Sequence, residues 1–79
     1  MNNNQKLRQS FALALDIEIE KVNDELAYQS ILEWDSITHM ILISQLEETF
    51  NVSIDTDDVI DLSSVAKARD ILIKYNVEF

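Results

Sequence analysis

Glycine, proline and cysteine are all missing from this chain of 79 residues. Without cysteine, neither a disulfide nor a thiolate metal site can staple the fold, and a reducing compartment is compatible with the chain. Without glycine and proline, every turn must be made by Asn, Asp or Ser. That argues against glycine-dependent hairpins and glycine-rich phosphate loops. It favours helices joined by irregular segments. Basic residues are scarce: six Lys and Arg stand against fifteen Asp and Glu, for a net charge of −9. Direct nucleic-acid binding is disfavoured on this balance, because phosphate contacts need clustered cations. Anionic membrane surfaces are disfavoured for the same reason. A basic protein partner is the natural complement, although solubility alone also accounts for an acidic surface. No stretch is long and apolar enough to span a bilayer. The start, Met1-Asn2-Asn3-Asn4, lacks the charged-then-apolar order of a signal peptide, so a cytoplasmic location is expected.

The length implies one small domain over residues 1–79, expected to be monomeric, with a modest core. Leu7, Phe11, Ala14 and Leu15 recur at helical spacing, so a first amphipathic helix is predicted over about residues 4–15, capped by Asn3 or Asn4. In residues 16–35 the alternation of Ile17, Ile19 and Val22 suggests a strand, but nothing nearby pairs with it. A long loop is expected instead, pinned to the core by Leu26, Tyr28, Ile31, Leu32 and Trp34. The second helix is the clearest, with Ile37, Met40, Ile43, Leu46 and Phe50 on its apolar face, Asp35 as its cap and Asn51 at its far end. Val52 and Ile54 come next as apolar anchors. A short helix starts at Asp55 or Thr56 and runs to about Leu62. Ser63 or Ser64 caps the last helix, whose buried side carries Val65, Ala68, Ile71, Leu72 and Tyr75. The fold class is all-α: a small bundle of three main helices and one short one, with a long loop between helices 1 and 2.

The most informative residue is Ser36, in Glu33-Trp34-Asp35-Ser36-Ile37. A hydroxyl at a helix start is often a plain cap. It is also where free backbone N–H groups and the positive end of the helix dipole favour a phosphate. Nucleophilic catalysis is a competing reading, with His39, the only histidine, one turn away. It needs an oxyanion hole and a third group, and no glycine elbow is present. His39 is expected at the surface or at a rim. Asp55-Thr56-Asp57-Asp58-Val59-Ile60-Asp61 faintly resembles a calcium loop, but Val59 and Ile60 stand where a ligand and the turn glycine belong, and the closing glutamate is missing. No dedicated metal site is expected. Glu47 and Glu48 are either an ordinary solvated face or a guide for basic partners. Trp34 either seals the loop or borders whatever Ser36 carries.

The ordered set of residues resembles the acyl carrier protein family, including the carrier domains of polyketide and nonribosomal peptide synthesis. Asp35-Ser36-Ile37 corresponds to the family's Asp-Ser-Leu. Leu46-Glu47-Glu48-Thr49-Phe50 and Asn51-Val52-Ser53-Ile54 match its Leu-Glu-Glu-x-Phe-Gly-Ile-x-Ile run. The short helix and the Ser64-Val65 start of the last helix align as well. The resemblance implies that a phosphopantetheinyl transferase, with Mg²⁺ and coenzyme A, attaches 4′-phosphopantetheine to Ser36, with Asp35 as part of the motif. The arm's thiol would hold an acyl or aminoacyl group as a thioester and present it to loading and accepting enzymes with basic docking surfaces. The protein itself would not be an enzyme. Ile37, Met40, Ile41, Glu47 and Glu48 are the expected partner-binding residues. Met40, Ile43, Leu46, Ile54, Val59 and Leu62 are candidates to shelter an acyl chain, or plain core. Two glycines of the family pattern are absent: Glu33-Trp34 stands before Asp-Ser, and Asn51 after the phenylalanine. His39, Met40 and Ile41 stand where fatty-acid carriers tend to have an early acidic residue. These departures point to a specialised pathway and a partner with an apolar docking patch around Ile41. The alternative from another class is an unmodified acidic helical module that binds a basic partner.

Overall fold

The computed structural model describes residues 2–79. Among these, four α-helices appear: α1 (Asn3–Leu15), α2 (Ser36–Phe50), α3 (Thr56–Asp61) and α4 (Val65–Lys74). A short 3-10 turn, Ile19–Lys21, interrupts the first loop where the apolar alternation hints at a strand. The one β-type pairing among the described residues is an isolated bridge between Ala27 and Ser64.

Helix α1 starts one to two residues earlier than the spacing predicts. Asn2 is the cap, because only Asn2 has a Gln three residues on. Its side chain accepts from the Gln5 N–H at 2.8 Å, and the Gln5 side chain accepts from the Asn2 N–H at 3.1 Å. Three helix ends use the same stop. Asp16, Asn51 and Asn76 take the left-handed conformation that glycine would normally supply, with φ of 55°, 55° and 71°. The next residue then bonds back: Ile17 to Ala12, Val52 to Glu47 and Val77 to Leu72. Each of these three is a partly buried apolar residue packed on the core. The chain therefore turns without glycine by using short polar side chains that tolerate positive φ.

The core gathers Leu7, Phe11 and Leu15 of α1, Leu42 and Leu46 of α2, Leu62, and Val65, Ala68 and Leu72 of α4. The long loop contributes Val22, Leu26 and Trp34. Leu32 does not pin the loop: it is 95% exposed. The α2 stripe is also rotated from the expected phase. Leu42, Ile43 and Leu46 are buried, whereas Ile37 and Met40 are 73% and 55% exposed. Packing against α1, with Ser10 on Thr49, and the bond from Trp34 to His39 at the helix start together set which side faces inward.

The loop is held at both ends. Arg8 donates from Nε to the Val22 carbonyl and from Nη2 to the Ile19 carbonyl, both at 3.1 Å. Farther on, Tyr28 N–H donates to Ser63, while Val65 and Ala66 N–H donate to Leu26 and Asp24. Ser64 completes the cap of α4 by accepting from Lys67 N–H at 3.0 Å. Helix α3 is strapped to α4 by Asp58, a buried carboxylate that accepts from Lys74 Nζ and, at 2.6 Å, from Tyr75 Oη. Tyr75 Oη in turn accepts from Asp55 N–H at 3.0 Å.

Candidate functional site

Ser36 is the first residue of α2 and is exposed. Asp35 is the cap. Its Oδ1 accepts from Ile37 N–H at 3.0 Å and Thr38 N–H at 2.9 Å, and Thr38 Oγ1 accepts from Asp35 N–H at 2.9 Å. This closes a reciprocal capping box. Hydrogen bonds from Thr38 N–H, then from Ile37 N–H, hold the Asp35 carboxyl below the usual carboxylate range. The box corrects one expectation. Ile37 and Thr38 N–H are already taken, so the first turn does not offer them to a phosphate. What the corner does offer is an exposed hydroxyl at a helix start whose Ile37 and Thr38 donors are already used.

His39 is not a free surface residue. It sits at the fourth helical position and Trp34 just before the cap, the two places that staple a helix start together. Trp34 Nε1–H donates to His39 Nδ1 at 3.0 Å, and the rings stack with centroids 6.1 Å apart and planes 19° apart. With Nδ1 accepting, Nε2 carries the proton and donates to the Val59 carbonyl at 2.8 Å. Both ring nitrogens are committed, so His39 has no nitrogen left to act as a base for Ser36. Trp34 is fully buried and seals the loop, edge-on to Phe11 at 5.2 Å.

A cavity of about 320 Å³ opens beside Ser36. Met40, Val59, Ile60 and Leu62 give it an apolar lining, and Tyr28, His39 and Ser63 complete it. Of the candidates for sheltering a chain, Met40, Val59 and Leu62 line this cavity. Ile43, Leu46 and Ile54 do not; they are buried in the core. The sequence places His39 at a rim where it could touch the arm, and does not assign Tyr28, Ile60 and Ser63 to the site. Only His39 carries a usable signal, the stapling position opposite Trp34. A wider hollow of about 560 Å³ lies between Arg8 and Glu20, away from Ser36 and rimmed by charged side chains.

Ile37, Met40 and Ile41 form an exposed apolar strip on α2 next to Ser36. Glu48 is exposed farther along. Glu47 is half-buried, and its Oε2 accepts from Ile54 N–H at 2.8 Å, so it braces the chain after α2. In the acidic segment, Asp58 is tied to Lys74 and Asp61 pairs with Lys67 at 3.1 Å. Among the described residues no group of three or more His, Asp or Glu is placed to hold a metal ion. No described helix is long and apolar enough to cross a membrane.

Fold and corner together define a small helical domain that displays an exposed hydroxyl at a helix start beside an apolar recess. Residues 5–70 match the family described as "Phosphopantetheine attachment site". The chain is 30% identical over 77 residues to the acyl carrier protein of Buchnera aphidicola, covering 96% of this chain and 98% of that one. It is 32% identical over 63 residues to the acyl carrier protein of Lactobacillus johnsonii, covering 80% and 79%. With the acyl carrier protein of Rubrobacter xylanophilus it shares 28% over 71 residues, covering 90% and 88%. The chain belongs to the acyl carrier protein family: it is a non-catalytic carrier whose prosthetic group is 4′-phosphopantetheine.

Proposed function

We propose that residues 1–79 form a single carrier domain and that Ser36 holds the arm through a phosphodiester on its Oγ. The supporting observation is the corner itself: an exposed serine at the first helical position, a cap supplied by its neighbour, and an apolar cavity at its side. The arm fits this place because attachment needs an accessible hydroxyl on a rigid element, and Ser36 itself lines the cavity. When loaded, the arm's thiol carries an acyl or aminoacyl group as a thioester. Tethering keeps that group at high effective concentration near each partner. Asp35 orients the corner and bears a negative charge beside Ser36, which suits recognition by a transferase that brings Mg²⁺.

The partners are a phosphopantetheinyl transferase and the loading and accepting enzymes of a biosynthetic pathway. The exposed strip of Ile37, Met40 and Ile41 favours partners whose docking surface is apolar at its centre. The net charge of −9 favours a basic rim around it. This combination supports a specialised pathway, for a fatty acyl, polyketide or aminoacyl cargo.

The test is intact mass after incubation with coenzyme A, Mg²⁺ and a phosphopantetheinyl transferase from the native host. The wild type gains one arm and Ser36→Ala gains none. Because Asp35 and not Ser36 makes the cap, Ser36→Ala unfolds at nearly the wild-type denaturant concentration, within about 0.5 kcal/mol. A gain on the Ser36→Ala variant would move the attachment elsewhere. No gain on either would leave an unmodified acidic binding module.

A further inference from the structure

Ser36, Met40, Ile43 and Glu47 succeed one another along one face of α2 in steps of three and four. A chain entering at Ser36 and running down this face would reach Ile43 and Leu46 next. His39 lines the same recess one turn from Ser36. Its imidazole reaches from Trp34 Nε1 on the loop side to the Val59 carbonyl on α3, so it bridges the seam between α2 and α3. Stacking on Trp34 and an edge contact with Tyr28 at 5.2 Å hold the ring in place. Beyond the bridge, Ile43, Leu46 and Ile54 are packed into the core, where interiors leave few voids. On the near side, the cavity of about 320 Å³ is at the small end of the ~300–1,000 Å³ range for ligand pockets.

We propose that the Trp34–His39–Val59 bracket bars the passage into the core and makes this a carrier for short acyl groups. A cargo of a few carbons rests on Met40, Val59, Ile60 and Leu62. A long chain stays outside, in solvent or on the apolar strip. The inference rests on attachment at Ser36. His39 acts as a specificity-determining residue by position: it touches the recess and closes its inner end.

The experiment loads the full chain from butanoyl- or dodecanoyl-coenzyme A with the host transferase, checks each product by intact mass, and compares amide and indole NMR shifts with those of the holo-protein. Butanoyl is expected to move the amides of Met40, Val59, Ile60 and Leu62. Dodecanoyl on the wild type should leave Ile43, Leu46 and Ile54 unmoved and keep the Trp34 indole signal in place. In His39→Ala the dodecanoyl shifts should extend to Ile43, Leu46 and Ile54, several-fold larger than in the wild type. Correct mass with wild-type dodecanoyl shifts at Leu46 and Ile54 would overturn the short-cargo inference and leave the Ser36 attachment standing. Absence of any mass gain would overturn that attachment and the inference with it. The wild-type pair decides even if His39→Ala does not fold.

Discussion

The two elements that flank Ser36 are fixed by different physics. The start of α2 is held mainly by aromatic contacts, Trp34 buried against Phe11 and the Trp34–His39 bond and stack, together with a capping box built on the Asp35 carboxylate. Helix α3, only six residues long, is held to α4 by charge, through Asp58 with Lys74 and Tyr75. A link between the two is His39 on the Val59 carbonyl. The serine therefore sits beside an aromatic anchor and a single charged cap, while the opposite wall of its cavity hangs on an ion pair. A carrier needs a fixed point of attachment more than it needs a fixed wall.

Removing the aromatic side of this contrast has the largest effect. Trp34→Ala is expected to cost about 3–5 kcal/mol, a large share of the ~5–15 kcal/mol that holds a small domain folded. Trp34→Phe keeps most of the packing and loses the N–H, so chemical denaturation should place it well above the alanine variant. Equal losses for the two would mean that the bond, not the packing, fixes the corner. The exposed strip contributes little to folding, so Ile41→Glu should change stability by no more than about 0.5 kcal/mol. Its transfer rate with the cognate loading enzyme should fall about tenfold, as for an interface residue worth about 1.4 kcal/mol; an unchanged rate would remove Ile41 from the docking face.

The charged side is tested by acid. The Lys74 ammonium, then the Tyr75 hydroxyl, hold the Asp58 carboxyl below its ordinary value of 3.8. A carboxylate depressed in the folded state adds stability above its unfolded value and loses it as pH falls through the folded one. Asp58→Asn should therefore be less stable than wild type at neutral pH, and the gap should narrow as pH falls from 3.8 downward. A gap that stays constant with pH would show that the strap is not electrostatic. The depressed Asp35 leaves a remaining acid slope of the same sign in both proteins. The smallest change is at Gln29, which has a φ of 63° in the loop behind the corner. Gln29→Gly relieves that conformation and should raise stability by up to about 1 kcal/mol; a loss would mean that the Gln29 side chain supports the loop.

Much of this arrangement is legible in the order of residues. The stripes of α1 and α4, the Ser64 cap, the Asn51 stop and the short third helix all come from spacing and cap chemistry, because they are local. The phase of α2 does not. Its apolar residues surround the helix, so Ile37 and Met40 look as buriable as Leu42, and only tertiary contacts, with α1 and with Trp34, settle which face turns inward. Leu32 misleads for a related reason, since an apolar residue in a loop has no period to orient it. The role of His39 depends on a backbone carbonyl at Val59, and carbonyls leave no mark in a sequence. Half of that role is readable all the same, in the stapling positions on either side of Asp35.

The bonds from Val65 and Ala66 to Leu26 and Asp24 have a consequence for how the molecule opens. The first amides of a helix usually have no partner inside it, and here the long loop supplies one. The loop cannot peel away without uncapping α4, and α4 cannot fray from its start without releasing the loop. Two segments far apart in sequence thus form one cooperative unit, whose amides should exchange with solvent deuterium together. The longest irregular stretch of the chain would then unfold with a helix rather than ahead of it.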